Sequence, residues 1–418
     1  MAEIVGGLGN SNSVESVPDQ GEDTEPIRSD RGALGVRAVG KSLRIGIDAR
    51  PLRWPGIGRY VRELVTQLAE IDSVDDFFVY CDGEQAAEHF RDRWSNVQVV
   101  KVTSALYSLG EQVSLPLRIL LDRLDLFHSP ASLTVPLVHP CRLVVTVHDL
   151  LLKSHPEHLP SRLAGIYFGI MNALALRSAK QLLTVSDFTR KELVAAYPRY
   201  ANKTRTVHNG VGLAFKPARD EQRLQNLRRT LGLRKSYFLY VGTYKKHKNL
   251  PFLIEGYSRL NPSLRADVQL LLLGPRDPRF PEADDLISRL GLRADVVQIE
   301  RVEEQDLIAL YCGAEAVVAP SAYEGFGFPV LEAMACRTAV IATRIPAFVE
   351  VAGDCAIFVE PGDGPGMTAA LTRVLEEPDL RERVAVAGLE RSARFTWRNT
   401  AVTTLEAYRA AMSDQNAD

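Results

Sequence analysis

Short apolar runs alternate with amphipathic segments along the chain from residue 43 onward. The run LVVTV, at 143–147, has the composition expected of a strand that is covered on both faces of a parallel sheet. After the first run, apolar residues recur at helical spacing instead, at Val61, Leu64, Val65 and Leu68. The strands predicted in the first half are 43–50, 77–81, 97–102, 126–130, 142–149 and 181–186, with helices between most of them.

The alternation restarts after a polar stretch at 213–222, which contains a proline and suits a linker. Repeated strand–helix units in both halves predict an α/β protein with two doubly wound, Rossmann-like domains that face each other across a cleft. Ligands of such sheets bind at the carboxyl ends of the strands, so functional motifs are expected there. The strands predicted in the second half are 237–243, 268–275, 296–302, 315–321 and 339–344.

The domains are predicted to span residues 42–214 and 215–395, and residues 396–412 are predicted to form a helix that crosses back onto the first domain. Thr396 is a suitable N-cap for this helix. Residues 1–41 are rich in Gly, Ser, Asp and Glu and lack the apolar core of a signal peptide, so we predict a disordered tail. The apolar stripe of the final helix consists of Trp397, Val402, Leu405 and Tyr408, and a short tail to residue 418 follows.

The composition is that of a soluble globular protein, with 46% hydrophobic and 24% charged residues. A formal net charge of −2 gives no support to nucleic-acid binding, which usually needs a basic surface. The five cysteines are scattered without a C-x-x-C pair, which favours free thiols in a reducing, cytoplasmic compartment. The longest uncharged, largely apolar run, at 163–176, is too short to span a bilayer, so we do not expect an integral membrane protein.

The segment SAYEGFGFPVLEAMA, at 321–335, carries two carboxylates eight positions apart, Glu324 and Glu332. It is predicted to run from a strand end through a glycine-rich turn into a helix that begins at Pro329. The helix N-terminus and the turn amides would form an anion site, and glycines would let the backbone approach a ligand. The alternative is a solvent-facing loop acid and an ordinary first-turn helix acid. The turn residues are Gly325, Phe326, Gly327 and Phe328.

Two further candidates lie at predicted strand ends. Lys248 follows the first strand of the second domain and the pair Gly242–Thr243, where a cation can reach a diphosphate held at a neighbouring helix start. The alternative for Lys248 is a solvated surface lysine. His148 ends an apolar strand and precedes Asp149; a hydrogen-bonded core histidine is the alternative to a functional one.

The first strand–helix connection contains Gly56 and Gly58 but has Val61 where a dinucleotide fingerprint needs its third glycine. This incomplete fingerprint disfavours a dehydrogenase. No metal site is predicted. His155 and His158 are interrupted by a proline, which breaks a helical ligand face, and the sequence contains no D-x-D.

The glutamate segment with the following EAMACRTAVI resembles the E-x7-E signature of retaining GT-B glycosyltransferases of family 4. VVTVHDL (144–150), LLTVSDFTRKEL (182–193), VHNGV (207–211) and YVGTYKKHKNL (240–250) are similar to further motifs of that family, in the same order. The resemblance implies the GT-B fold, with Glu324 contacting donor-sugar hydroxyls and Glu332 the nucleotide ribose. It also implies that His148 contacts the donor sugar or reacting centre, and that the loop with Gly56 and Gly58 covers the diphosphate.

The activity implied by the resemblance is metal-independent transfer of a hexose from a nucleotide-sugar substrate to a hydroxyl, with retention and without a cofactor. IDARPLR and GIGRYVREL look most like bacterial mannosyltransferases of polysaccharide assembly, so GDP-mannose is the first choice of donor and UDP-glucose the second. The acceptor would be a glycan or a lipid-linked glycan. The amphipathic stretch 112–124 either contacts the inner face of the cell membrane or is an ordinary packed helix.

Two positions depart from the family pattern. Arg337 replaces a usual glycine, and Glu300–Arg301 replace a usual Gly–Tyr near the expected nucleobase, which leaves base preference open. A UDP-sugar isomerase of the same fold and a non-catalytic homologue are further alternatives. Both are disfavoured because Glu324, Lys248 and His148 are all present.

Overall fold

Two parallel sheets, each covered by helices on both faces, make up most of the described structure. The computed structural model describes residues 42–413 except 105, 107, 109, 155–160 and 219. The predicted N-terminal tail, the last residues of the predicted C-terminal tail, and both His155 and His158 lie outside the described residues.

The first sheet has the strand order β3-β2-β1-β4-β5-β6-β7, and its neighbouring strands all pair in parallel. Its strands are β1 (Arg44–Asp48), β2 (Asp76–Cys81), β3 (Val97–Lys101), β4 (Leu126–Ser129), β5 (Arg142–Val147), β6 (Gln181–Thr184) and β7 (Thr204–Thr206). Its helices are α1 (Ile57–Ile71), α2 (Glu84–Glu88), α3 (Glu111–Leu121), α4 (Leu151–Ser154), α5 (Arg162–Ser178) and α6 (Asp187–Ala196).

The second sheet has the order β10-β9-β8-β11-β12-β13, again with parallel neighbours. Its strands are β8 (Ser236–Val241), β9 (Val268–Leu273), β10 (Val296–Ile299), β11 (Ala316–Ala319), β12 (Val340–Thr343) and β13 (Ile357–Val359). Its helices are α7 (Glu221–Leu231), α8 (Leu250–Ser258), α9 (Pro262–Asp267), α10 (Glu282–Arg289), α11 (Glu304–Gly313), α12 (Phe328–Ala335), α13 (Pro346–Ala352), α14 (Gly364–Glu376) and α15 (Pro378–Ser392).

The predicted α/β class with two doubly wound sheets is therefore confirmed. Strand β9 is buried along its whole length, because its alternate residues face two different apolar cores, one on each side of the sheet. Strand order reverses between β1 and β4 in one sheet and between β8 and β11 in the other. Crevices for ligands form at such reversals, so the loops after β1, β8 and β11 are positioned to build a site.

A final helix, α16 (Trp397–Ser413), leaves the second sheet and packs against α1 of the first. Trp397, Ala401 and Tyr408 share an apolar core with Ile45 of β1. The buried apolar stripe of α16 differs from the predicted one at Val402, whose side chain is 42% exposed. Within the described residues, no helix combines the length and apolar character needed to cross a membrane.

Candidate active site

A cleft of about 590 Å³ lies between the two sheets and receives residues from both. Every site residue predicted from the sequence lines this cleft except Gly58. A side chain on Gly58 would collide with the carbonyl of Leu52, so this glycine allows the loop after β1 to pack closely. The predicted residues that line the cleft are Gly56, His148, Gly242, Thr243, Lys248, Glu324, Gly325, Phe326, Gly327, Phe328 and Glu332.

The turn between β11 and α12 points the N-terminus of α12 into this cleft. Gly327 is the N-cap with φ +119°, a conformation that favours glycine, and the helix begins at Phe328, one residue before the predicted start. Pro329 lies in the first turn, where its missing N–H removes no helical hydrogen bond. Because the first amides of a helix lack partners within it, this end can bind an anion.

Gly325 brings the two domains into direct contact. A β-carbon at this residue would lie 1.9 Å from the backbone oxygen of His148, so only glycine fits. The Gly325 carbonyl accepts a hydrogen bond of 2.6 Å from the hydroxyl of Ser186, which lies in the first domain. Nearby, the Tyr323 hydroxyl accepts the Leu150 N–H at 3.0 Å, again between domains. The glycine-rich turn is therefore fixed against the end of β5.

Glu324 and Lys248 form an ion pair inside the cleft. The Lys248 ammonium donates to Oε1 of Glu324 at 2.5 Å, and the Ser321 hydroxyl donates to the same oxygen at 2.8 Å. The loops that carry the pair are joined by a hydrogen bond of 2.8 Å from the Ala322 N–H to the His247 carbonyl. Both side chains are less than one-fifth exposed, so the pair is held in place and is still reachable from the cleft.

Glu332 is buried and is also paired with a cation. The Tyr311 hydroxyl donates to its Oε2 at 2.7 Å, and Arg59 from the first turn of α1 pairs with its Oε1. Burial lowers the pKa of Arg59, whose guanidinium lies over the rings of Phe215 and Phe328 at 5.3 and 5.6 Å from their centroids. Arg59 thus links the two domains across the cleft.

His148 lies where the first domain meets the cleft. Its Nε2–H donates to the carbonyl of Pro130 at 2.9 Å, and its ring packs edge-on against Tyr60 with centroids 5.0 Å apart. Burial lowers its pKa to about 4, so the imidazole is neutral at pH 7. It is at once hydrogen-bonded to the domain core and part of the cleft wall.

Besides Arg59, four residues that build the site were not among the predicted site residues. Asp149 lines the cleft and accepts the Leu151 N–H at 2.9 Å; desolvation and then the charge of Glu324 raise its pKa. Asn209 also lines the cleft, and its buried side-chain oxygen has no hydrogen-bond partner among the described residues. The motifs VVTVHDL and VHNGV contain these two residues and could have pointed to them. Ser321, which donates to Glu324, opens the segment 321–335 and could have been found there, whereas Tyr311, which donates to Glu332, carries no comparable signal.

The two positions that depart from the family pattern lie outside the cleft lining. Arg337 has φ +57°, a left-handed conformation in which glycine is favoured, and it is exposed beside its ion-pair partner Glu382. Glu300 and Arg301 are exposed after β10.

Comparison with known proteins relates both halves of the chain to glycosyltransferases. Residues 224–391 match the family model described as glycosyl transferases group 1, and residues 54–215 match that described as glycosyltransferase family 4. O-antigen chain mannosyltransferase B from Escherichia coli is 28% identical over 388 residues, which cover 88% of this chain and 100% of that protein. A D-inositol 3-phosphate glycosyltransferase from a Nocardioides species is 26% identical over 95% of this chain and 94% of its own.

Among solved structures, Anabaena Alr3699/HepE in complex with UDP and glucose superposes with a TM-score of 0.72 at 20% identity. The match covers 88% of this chain and 100% of that one. At this identity the likeness establishes the shared fold.

Proposed function

Because the chain belongs to the group 1, family 4 glycosyltransferases and has their GT-B fold, we propose that it transfers a hexose from a nucleoside-diphosphate sugar to an acceptor hydroxyl, with retention of configuration. The observation that carries the proposal is the pairing of both glutamates with cations around the N-terminus of α12. Two cations and a set of helix amides suit a diphosphate, and two carboxylates suit the hydroxyls of the sugars on either side of it.

In this proposal Glu324 binds hydroxyls of the donor sugar and Glu332 binds the ribose. Lys248 leaves Glu324 for the diphosphate, and Arg59 leaves Glu332 to make room for the ribose. Gly242, Thr243 and Gly56 bring backbone close to the nucleotide, as do residues 325–328. We further propose the domain division at 42–214 and 215–395, with 396–412 crossing back.

The chemical step needs no protein nucleophile. The bond between sugar C1 and the diphosphate oxygen breaks, the acceptor oxygen bonds to C1 on the same face, and its proton passes to the departing oxygen. The protein then contributes positioning and neutralises the charge that develops on the phosphate, through Lys248 and the α12 amides. His148, being neutral, acts as a hydrogen-bonding partner rather than as a charge.

We propose GDP-mannose as the donor, because curated relatives across much of the chain are named mannosyltransferases. UDP-glucose is the second candidate, since a structural neighbour was crystallised with UDP and glucose. The acceptor is a glycan or a lipid-linked glycan. Contact with a membrane surface is supported by exposed apolar residues on α3, namely Val113, Leu117, Leu120 and Leu121.

A donor screen tests the proposal directly. Thermal unfolding is measured with GDP-mannose, UDP-glucose and UDP-N-acetylglucosamine, and with GDP and UDP alone, because a ligand that binds only the folded state raises the Tm. We expect GDP-mannose and GDP to give the largest shifts, and NMR of the product to report a retained anomeric configuration. No shift with any nucleotide would refute the proposal; a larger shift with UDP-glucose would overturn only the choice of donor.

A further inference from the structure

A second cavity, of about 450 Å³, adjoins the cleft within the first domain. The two cavities share the wall residues Trp54, Ile57, His148, Asp149 and Leu151. They therefore meet at the end of β5, next to Gly325 and the ion pair of Glu324 with Lys248. A molecule in the second cavity would approach the proposed donor sugar from the first-domain side.

The walls of this cavity differ in chemistry from those of the cleft. Away from the junction they consist largely of apolar and aromatic side chains, with Leu133, Leu193, Phe168 and Tyr197 among them. The cleft instead contains the two carboxylate–cation pairs. The walls also carry the polar side chains of Ser132, Thr146, Lys153 and Asn172, but apolar surface makes up most of the lining, so an apolar occupant fits the greater part of the cavity better than a sugar ring does.

The apolar character continues from the cavity to the surface along α5. One side of this helix, including Gly165, Phe168 and Gly169, lines the cavity. A neighbouring side carries exposed apolar residues at helical spacing, namely Leu163, Ile166, Ile170 and Leu174. An apolar chain longer than the cavity can therefore leave it along α5 without crossing a charged rim formed by this helix.

We propose that the second cavity binds an alkyl or isoprenoid group covalently attached to the acceptor, and that the acceptor hydroxyl lies at the junction beside His148 and Asp149. This inference rests on the proposed function and specifies its acceptor as a lipid-linked molecule. Continuity with the cleft is the reason for assigning the cavity to the acceptor and not to an unrelated ligand.

Two acceptor analogues that differ only in their apolar part test the proposal. Methyl α-mannoside and octyl α-mannoside, the latter below its micellar concentration, are titrated into the protein with GDP present, and both are assayed for mannosyl transfer. We expect octyl α-mannoside to bind roughly tenfold more tightly or better, because burying one or two methylene groups already gives a gain of this size. Equal affinities would overturn the inference.

Gly169→Leu adds a side chain at the wall of the cavity and supplies the matched variant. A β-carbon at Gly169 meets no atom within 4 Å, so a larger side chain enters open space. We expect the octyl preference to fall to about twofold or less in this variant and to persist in Ala173→Leu, which enlarges an exposed residue outside the cavity on the same helix. A preference that survives Gly169→Leu would show that the chain binds elsewhere.

Measuring nucleotide-sugar binding distinguishes a failure of the proposed function from a failure of the assignment of the second cavity. If GDP-mannose and the other donors fail to bind, the proposed function is wrong. If a donor binds but the octyl group brings no gain in affinity, only the assignment of the second cavity is wrong. Donor affinity in Gly169→Leu also reports whether the variant has kept its fold.

Discussion

Glu324 and Glu332 belong to one short segment but pair with different cations, because Glu324 lies in a turn and Glu332 in a helix. Glu324 precedes the N-cap Gly327 and meets Lys248 of the same domain, whereas Glu332 lies within α12 and meets Arg59 of the other domain. Each ion pair keeps a carboxylate from standing unpaired in a partly dry cleft, where an isolated charge would be costly. Donor binding would exchange these partners for phosphate and hydroxyl groups.

Lys248→Ala is expected to lower kcat by about 10²-fold or more and to weaken donor binding less, because the lysine would meet charge that develops in the transition state. Glu324→Gln should also lower kcat, since a neutral amide loses the charge-assisted bonds to sugar hydroxyls. Steady-state kinetics with both substrates saturating checks this. Lys235→Ala is the matched control, because Lys235 is an exposed lysine directly before the first residue of β8, whereas Lys248 follows the strand's last residue. Near-normal kcat in both site variants would contradict the mechanism.

Glu332→Ala is expected to weaken GDP binding by roughly tenfold or more, because the variant lacks the buried carboxylate that would bind the ribose hydroxyls. Calorimetry with GDP and 2′,3′-dideoxy-GDP separates this role from the structural pairing with Arg59. The dideoxy nucleotide should bind the unaltered protein more weakly than GDP does, and it should bind Glu332→Ala about as well as GDP does. A hydroxyl preference that remains in the variant would argue against the ribose contact.

Gly325→Ala is expected to lower kcat/KM by roughly 10²-fold, because its methyl group would push the glycine-rich turn away from His148. Kinetics and thermal unfolding are measured together. Gly110→Ala is a suitable control, since a β-carbon there meets its nearest neighbour at an ordinary 3.7 Å. Unchanged kcat/KM in Gly325→Ala would mean that the close approach to His148 is unimportant for activity.

Sequence reasoning found the residues whose chemistry is local and missed their distant partners. Glu324 and Glu332 stand out because a glycine-rich turn and a helix start surround them. Tyr311 was missed because it is 21 residues from Glu332 and lies on a different helix, and nothing in its neighbourhood indicates a cleft. The pairing of Arg59 with Glu332 was not predicted either, because it requires two domains to meet.

At the level of elements, the strands of four or more residues were predicted and the two three-residue edge strands were not. β9, with the sequence VQLLLL, is apolar at every position but Gln269, as expected for a strand covered on both faces. β7, with the sequence TRT, and β13, with IFV, are three-residue edge strands whose pairing depends on the neighbouring strand and not on their own pattern. Likewise, Val402 was assigned to the buried stripe of α16, where small residues such as Ala401 take that place.

A buried histidine couples α16 to the first sheet and should make stability depend on pH. His128 of β4 bonds the Tyr408 hydroxyl of α16 at 2.7 Å and the Thr146 hydroxyl of β5 at 2.8 Å. Burial lowers its pKa to about 3 from 6.5. As the pH falls below 6.5 the unfolded chain takes up a proton at this residue that the folded chain does not, so the folded state loses stability.

Between pH 7 and pH 5 this residue should lower the free energy of unfolding by about 2 kcal/mol. Urea unfolding at the two pH values measures the loss. His128→Asn should be less stable than the unaltered protein at both pH values, because it loses two hydrogen bonds. Its loss of unfolding free energy between pH 7 and pH 5 should, however, be smaller than that of the unaltered protein by about 2 kcal/mol. A pH dependence identical to that of the unaltered protein would show that His128 takes up its proton over the same pH range in the folded and the unfolded states.

At the scale of the whole molecule, Glu350 of the second domain binds the first domain near the cleft. From α13 it accepts the backbone N–H groups of Asp187 and Phe188, at the first turn of α6, at 2.7 and 2.9 Å. It also meets Nε2 of His208 at 2.6 Å. A carboxylate at a helix N-terminus is favoured by the helix dipole, so this contact stabilises the observed arrangement of the two domains.

Glu350→Gln is expected to favour a more open cleft, because the amide interacts more weakly with the α6 dipole and can present only one oxygen to the two N–H groups. We expect a larger radius of gyration by solution scattering without ligand, and a donor KM raised by about threefold to tenfold with a smaller change in kcat. Glu360→Gln, an exposed acid of the same domain that pairs with Arg344, is the control. A raised KM without a change in dimensions would place the effect at the donor itself and not in domain closure.

The same residues raise a question of metal dependence, because Asp187, His208 and Glu350 offer ligand atoms that all lie within 4.8 Å of one another. Their hydrogen bonds favour a contact between the domains over a metal site. The oxygens of Glu350 already accept the two amide N–H groups, and Asp187 accepts the Thr206 hydroxyl at 2.5 Å. Activity and dimensions should therefore be unchanged by EDTA. If EDTA reproduced the behaviour of Glu350→Gln in the unaltered protein, the three side chains would hold a cation, and the domains would be joined by a metal instead of by a helix cap.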